Sequence, residues 1–297
     1  MRLNTYLKKL PKWSEIQESL FRSHLILDIQ LDNIEHEYFL NREKTLRVTL
    51  DYQIKYMKPF INANILKLKP DIVIVIAYGK IIPKKFLNLA KQGFINVHAS
   101  LLPKWRGAAP IQRSIMELDN ETGISIMKIN EELDSGPVSN TFKINIDYNT
   151  NAQEISEKLS LLAAEKILDI IDDVLEDKVK FIDQDHSNAT YAKKIDKAEG
   201  KINWSDKAIN ILGKINGLFP TPGAFFNFNG ERYKILKAEI GSGEGKVGEV
   251  ITDKLEIACS NQSIKILEIQ RQGKKPQKIA EFLLGSKIKK GSVISNV

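Results

Sequence analysis

The chain has 297 residues, is 42% hydrophobic and 27% charged, and carries a formal net charge of +7 at pH 7. At roughly 100–200 residues per domain this suggests about two domains, and the composition excludes a disordered or fibrous chain. Its single cysteine, Cys259, excludes an intramolecular disulfide, and no apolar run approaches the roughly 20 residues of a membrane span.

The opening 60 residues show no clean period. Ile16–Phe21, Ser23–Ile29 and Leu46–Leu50 are short apolar stretches that fit helix or strand. Met1–Trp13 is basic but lacks the apolar segment of about 7–15 residues that a secretory signal requires. The signal sharpens at Asp71–Ala77 (DIVIVIA), a β-branched run expected of a strand buried on both faces and ended by Tyr78-Gly79. Pro83–Lys91 has helical spacing and Phe94–His98 reads as a second strand. Strand, helix and strand within about 30 residues make a βαβ unit and predict a parallel sheet.

Leu101–Arg113 is a loop entering a helix with Pro110 in its first turn, a position where the missing N–H costs nothing. Gly123–Ile129 and Asn140–Ile146 read as further strands, and Ala152–Glu176 as a long helix. Asn151 and Glu154 have capping-box spacing at its start. Residues 177–200 are polar and mixed and read as a linker. Beyond them the texture changes to short strands between turns: Ala224–Phe228, Asn229-Gly230, Tyr233–Ile240, Val250-Ile251, Leu255–Ala258 and Ile264–Ile269. That pattern predicts a small β-barrel. Gly243–Gly248 (GEGKVG) matches a dinucleotide-binding spacing, but strands are expected on both sides of it, so it reads as a hairpin loop.

Charge is unevenly placed. Residues 201–297 hold 16 Lys+Arg and 9 Asp+Glu, so the whole excess of +7 lies in the last third. Arg271, Lys274, Lys275, Lys278, Lys287, Lys289 and Lys290 face one acid, Glu281, within Arg271–Lys290. A neutral body with a basic C-terminal module fits a polyanionic partner, and equally a solvated lysine-rich face.

Asn96 and His98 end the second strand and point to one face, because strand side chains alternate. Open α/β sheets bind ligands outside the carboxyl ends of their strands. Asp134 lies in a loop after the third strand that can reach the same edge. An amide that donates to a developing oxyanion, an imidazole that shuttles a proton and a carboxylate that orients it suit acyl or formyl transfer. Spacing alone leaves open a strand-end polar pair and a solvated turn carboxylate. No convincing nucleophile accompanies the trio. His24, His36, His98 and His186 show no metal-ligand spacing, so no metal is expected.

The residues that carry these features also carry a resemblance. Ile95–Val138 (INVHASLLPKWRGAAPIQRSIMELDNETGISIMKINEELDSGPV), with Asp71–Pro83, Ala189–Ser205 and the INGLFPTPGAFF stretch from Ile215, resembles the methionyl-tRNA formyltransferases, over about residues 60–297. The Asn-x-His pair, the SLLP turn and the downstream Asp are shared with 10-formyltetrahydrofolate-dependent transferases generally. WRGAAPIQ and the C-terminal module are more specific. The resemblance implies a Rossmann-like α/β domain with a mostly parallel sheet over residues 1–178, a linker over 179–200 and an OB-like barrel over 201–297. It implies that 10-formyltetrahydrofolate, as co-substrate, formylates the α-amine of methionyl initiator tRNA. Asn96, His98 and Asp134 match the catalytic trio, and Ser100, Leu101, Leu102 and Pro103 match the folate-binding turn. Arg106 and the basic C-terminal residues are the expected tRNA contacts. A monomer without membrane association is expected, in a bacterial-type cytoplasm or an organelle.

The opening departs from the family. Relatives begin with a strand running into a Gly-Thr-Pro turn, whereas Met1–Tyr56 contains no glycine. An atypical opening, from divergence or a frameshift, is expected for residues 1–60, with the latter favoured. The alternatives kept are a sugar-nucleotide formyltransferase and a catalytically impaired tRNA-binding remnant.

Overall fold

The computed structural model describes residues 70–77 and 82–295. The readings made for residues 1–69, including the glycine-free opening, and for Tyr78-Gly79 lie outside the described residues. The chain divides into two compact units that interleave along the sequence. One takes the residues up to Arg106, Ile124–Phe142 and Ser160–Ala189; the other takes Gly107–Gly123, Lys143–Leu159 and Thr190–Val297.

In the first unit, β1 (Val73–Ile76) and β2 (Phe94–His98) run parallel, with Val73 beside Phe94 and Ile76 beside Val97. Between them lies α1 (Lys84–Leu87), a single turn rather than the longer helix expected over Pro83–Lys91. That turn is enough to bury Phe86, which packs with Ala90 on Val73, Val75 and Phe94. After the short β3 (Arg106–Gly107) and α2 (Pro110–Met116) comes β4 (Glu121–Lys128). It adds to β2 in the antiparallel sense, Ile95 beside Lys128 and His98 beside Ser125. With β5 (Val138–Asn145), the sheet order is β1-β2-β4-β5. Thr122–Met127 is buried without alternation, as an interior strand covered on both faces requires.

The long helix is α3 (Ala152–Leu175). The Asn151 side chain accepts from the Glu154 N–H at 3.0 Å and Glu154 accepts from the Asn151 N–H at 3.4 Å, the expected reciprocal cap. Ile155, Leu159, Ala163, Ile167, Ile170 and Val174 form its buried stripe.

The segment read as a linker carries bridges and turns, and the change from the first unit to the second falls within it, at Ala189/Thr190. Ile182 bridges to Val138 in the first unit. In the second unit, β6 (Tyr191–Ala192) is followed by a 3₁₀ turn at Lys197–Gly200. Arg113 grips that stretch with a fork, bonding both Glu199 carboxylate oxygens at 2.6 and 3.0 Å and the Lys193 carbonyl at 3.1 Å. The Arg113 guanidinium holds the Glu199 carboxyl below the usual glutamate range, against a smaller opposing effect of burial. A carboxyl whose folded pKa is depressed stabilises above its unfolded pKa, about 4.3, and loses that stabilisation as pH falls through the folded value. Glu199→Gln is therefore expected to lower stability at pH 7 by about 1 kcal/mol, the side chains being only partly shielded. Urea unfolding should show the deficit shrinking as pH drops below about 4; a deficit independent of pH would contradict the ion pair.

The second unit also holds α4 (Ala208–Leu218), which sequence periodicity did not reveal. Eight of its 11 residues are buried, only Asn210 and Lys214 give it a polar stripe, too narrow to stand out as a period, and Gly213 and Gly217 lower its helix propensity. Beyond it are β7 (Ala224–Phe228), β8 (Glu231–Gly241), β9 (Glu256–Ala258), β10 (Ser263–Arg271), β11 (Gln277–Lys278) and α5 (Ile279–Leu284). They form an antiparallel five-stranded sheet ordered β11-β10-β8-β7, with β9 on β10. The GEGKVG loop has strands on both sides, as expected, but it is not a hairpin. It links β8 to β9, and each of those pairs with β10. The loop is pinned at Gly243, whose N–H donates to Glu256 Oε1 and Ser263 Oγ at 3.2 and 3.1 Å. The core beneath the sheet centres on Trp204, Phe226, Tyr233 and Phe282, joined by edge and stacked ring contacts.

Among the described residues, no helix is long and apolar enough to cross a membrane.

Candidate active site and basic surface

The carboxyl end of β2 carries Asn96 and His98 in the first unit. The alternation of the strand gives both side chains one face. The Asn96 side chain is half-buried and makes no hydrogen bond among the described residues. His98 is 6% exposed, and its two ring nitrogens face different groups. Nε2 lies 2.9 Å from the Trp105 carbonyl oxygen. A carbonyl only accepts, so Nε2 is the donor and carries a proton. Nδ1 faces Asp134 Oδ2 at 3.6 Å, beyond a direct hydrogen bond but within ion-pair range when the ring is charged.

Both groups that face His98 come from residues with left-handed backbone, Trp105 at φ 63° and Asp134 at φ 46°. Such conformations cost energy and persist where surrounding structure enforces them. Part of the enforcement is local. Gly136 passes so close to the Lys128 carbonyl that a Cβ there would collide with it, which explains the glycine in the Asp134-Ser135-Gly136 loop.

The SLLP turn, Ser100–Pro103, follows β2 directly. Ser100 is fully buried and donates to the Lys104 carbonyl at 2.6 Å. Ser125 on β4, opposite His98, donates to the Ser100 carbonyl at 2.7 Å and accepts from the Leu102 N–H at 3.1 Å. The turn is thus held rigidly beside His98 by a side chain that sequence reading treated only as part of a strand.

Arg106 departs from expectation. It was grouped with the tRNA contacts, but it is 2% exposed and bonds within the first unit. Nε and Nη2 donate to Gln184 Oε1 at 3.1 and 2.8 Å, and Nη1 lies 3.3 Å from His186 Nδ1. A buried guanidinium with its donors turned inward is not placed to meet a phosphate at the surface.

The seven basic residues between Arg271 and Lys290 are exposed. Arg271, Lys274, Lys275 and Lys278 sit on the β10–β11 hairpin, and Lys287, Lys289 and Lys290 follow α5. Arg271 is engaged already, in a close ion pair with Glu231. Glu231 accepts from the Tyr233 hydroxyl at 2.7 Å. The Tyr233 hydrogen bond, followed by that from Arg271, holds the Glu231 carboxyl below the usual range. Burial and Glu231 push the Tyr233 phenol up to about 12. Cys259 is buried and its thiol is pushed up to about 12 by burial, which removes it as a nucleophile near neutral pH.

Residues 36–171 match the model of the family described as Formyl transferase, and residues 194–287 match that of its C-terminal domain. A methionyl-tRNA formyltransferase of Pelagibacter ubique is 65% identical over 232 residues, covering 78% of this chain and 75% of that protein. The chain belongs to the methionyl-tRNA formyltransferase family. Two solved structures share the fold: methionyl-tRNA formyltransferase from Clostridium thermocellum, at TM-score 0.52 and 20% identity over 65% of this chain and 91% of that one; and HypX from Aquifex aeolicus in complex with tetrahydrofolic acid, at TM-score 0.57 and 18% identity over 77% of this chain and 42% of that one. The family match begins at residue 36, inside the stretch set apart as atypical and upstream of residue 60, where the resemblance was read to start.

For a methionyl-tRNA formyltransferase, the structure brings Asn96, His98, Asp134 and the SLLP turn into one neighbourhood of the first unit. It places the basic C-terminal residues in the second. Sequence reading missed Gln184, Ser125 and Glu231. Gln184 and Ser125 act through partners distant along the chain, and no spacing pattern could have found them. Glu231 lies 40 residues from Arg271 and looks like an ordinary strand acid.

Proposed function

We propose that this chain transfers the formyl group of 10-formyltetrahydrofolate to the α-amine of methionyl initiator tRNA, with Asn96, His98 and Asp134 as the catalytic groups. The observation that carries the proposal is Asn96 and His98 on one strand face, with the Asp134 carboxylate 3.6 Å from His98 Nδ1. The residues fit a formyl donor. The Asn96 amide, without a hydrogen-bond partner among the described residues, offers an N–H to a carbonyl oxygen, and the SLLP turn that follows the strand is braced by Ser125.

An α-amino group has a pKa of about 7.7–8.0, so a useful fraction is neutral near pH 7 and able to attack. Negative charge then develops on the formyl oxygen, where Asn96 donates. The Trp105 carbonyl occupies His98 Nε2, so the proton that moves in this scheme is the one at Nδ1, on the Asp134 side. Asp134 orients the ring. As the amine nitrogen bonds to the formyl carbon and that carbon's bond to the folate nitrogen breaks, the departing nitrogen takes the Nδ1 proton and the surplus proton of the amine replaces it on the ring. The test is transfer of radiolabelled formyl from 10-formyltetrahydrofolate to methionyl-tRNA, run beside an amino-sugar nucleotide as acceptor. Formylation of the sugar nucleotide alone would replace this reading with a sugar-nucleotide one.

The exposed lysines are the proposed tRNA platform. Reversing Lys274, Lys275 and Lys278 to Glu is expected to raise KM for tRNA by at least about 10-fold at low salt, because each neutralised phosphate contributes counterion release. The KM for the formyl donor should stay unchanged. Unaltered tRNA binding would return these lysines to a solvated face.

A further inference from the structure

Gln184 lies in the polar stretch read as a linker, yet it is 8% exposed and uses its whole amide. Oε1 accepts from Arg106 Nε and Nη2 at 3.1 and 2.8 Å. Nε2 donates to the Asp134 and Gly136 carbonyls at 2.9 and 2.7 Å. Two lone pairs and two N–H groups are thereby all satisfied.

The bonded atoms have a common relation to His98. Asp134, whose carbonyl Gln184 holds, presents the carboxylate that faces His98 Nδ1. Arg106, whose guanidinium Gln184 holds, follows Trp105, whose carbonyl accepts from His98 Nε2. These two residues, Trp105 and Asp134, are the ones in left-handed conformations beside the ring. Neither backbone is held in place by its own preference, so an outside tie is required.

We infer that Gln184 is a positioning residue that fixes both partners of His98, setting the Asp134 carboxylate against Nδ1 through the backbone of the Asp134–Gly136 loop. It touches no reacting atom. Its contribution is geometric, and misplacement of a catalytic group by about 1 Å can cost as much as 10²-fold. The inference rests on the formyl-transfer reading of the same site, and its test separates the two.

Two variants are needed. Gln184→Glu keeps an acceptor for Arg106 but turns a carboxylate oxygen toward two carbonyls, releasing the loop. Gln184→Met preserves length and removes every bond. The readouts are kcat and KM for methionyl-tRNA, the thermal midpoint, and the ring nitrogen resonances of His98 in ¹⁵N-histidine protein, assigned with His98→Gln. A positioning role predicts that Gln184→Glu lowers kcat by about 10–100-fold with KM for tRNA unchanged. It also predicts that the His98 Nδ1 resonance moves toward its value in Asp134→Asn. Folded variants with wild-type kcat and resonances would overturn the inference. So would loss of fold in both variants, which would make Gln184 a stability residue. If the wild-type chain transfers no formyl group, the functional reading fails, and the His98 resonance alone decides the role of Gln184.

Discussion

Asn96→Ala is expected to lower kcat for formyl transfer by roughly 10²–10³, the cost of losing one oxyanion donor in a preorganised site. The expectation follows from what Asn96 lacks as well as from where it sits. Its side chain is half-buried and has no hydrogen-bond partner among the described residues, so truncation breaks no internal bond among them. The fold should be unaffected and the loss should fall on kcat, because the interaction strengthens only as charge develops on the oxygen. Stopped-time formylation assays at saturating donor and tRNA, with a melting curve for each protein, would measure it. A variant that turns over at near wild-type rate, with normal donor binding, would remove Asn96 from the mechanism.

Trp204→Ala is expected to destabilise the second unit by about 3–5 kcal/mol. Trp204 is fully buried, and its ring meets the edge of Phe226 at 5.9 Å and 62°. Phe226 stacks on Tyr233 at 5.4 Å, and Tyr233 meets Phe282 at 5.8 Å. Removing the first ring leaves a cavity that the strands cannot close, because Phe226 and Tyr233 lie on paired strands with fixed register. Domain stabilities are typically about 5–15 kcal/mol, so the loss would be a large share of the total. Urea denaturation followed by circular dichroism would report it, and a change below about 1 kcal/mol would mean that the cavity collapses.

What could be read from sequence depended on how local its physical cause was. DIVIVIA gave β1 because burial on both faces demands an unbroken β-branched run. Asn96 and His98 were placed together by the strand period of two, which needs no knowledge of the rest of the chain. The Asn151–Glu154 cap was read from a three-residue spacing and is present with both bonds. The helix α4 escapes sequence reading because its polar stripe is only Asn210 and Lys214, and Gly213 and Gly217 weaken its propensity. Arg106, grouped with the tRNA contacts under the family resemblance, is taken inside by a partner 78 residues away, which no local pattern reveals. The linker reading of residues 177–200 rests on their mixed polarity, which does not reveal the bonds they make. Much of it serves Arg113, Arg106 and two backbone carbonyls instead. The roles given to Asn96, His98 and Asp134 rest on chemistry and family resemblance together, and the assays above address them.

The Glu231–Arg271 pair has a consequence for how this surface meets a polyanion. Glu231 acts as a counterion carried by the protein itself, condensed on Arg271 and held there by the Tyr233 hydroxyl. A phosphate arriving at Arg271 displaces a fixed carboxylate and releases no mobile ion in doing so. The salt dependence of tRNA binding should therefore count the lysines and leave this arginine out, giving a shallower slope than the number of basic side chains implies.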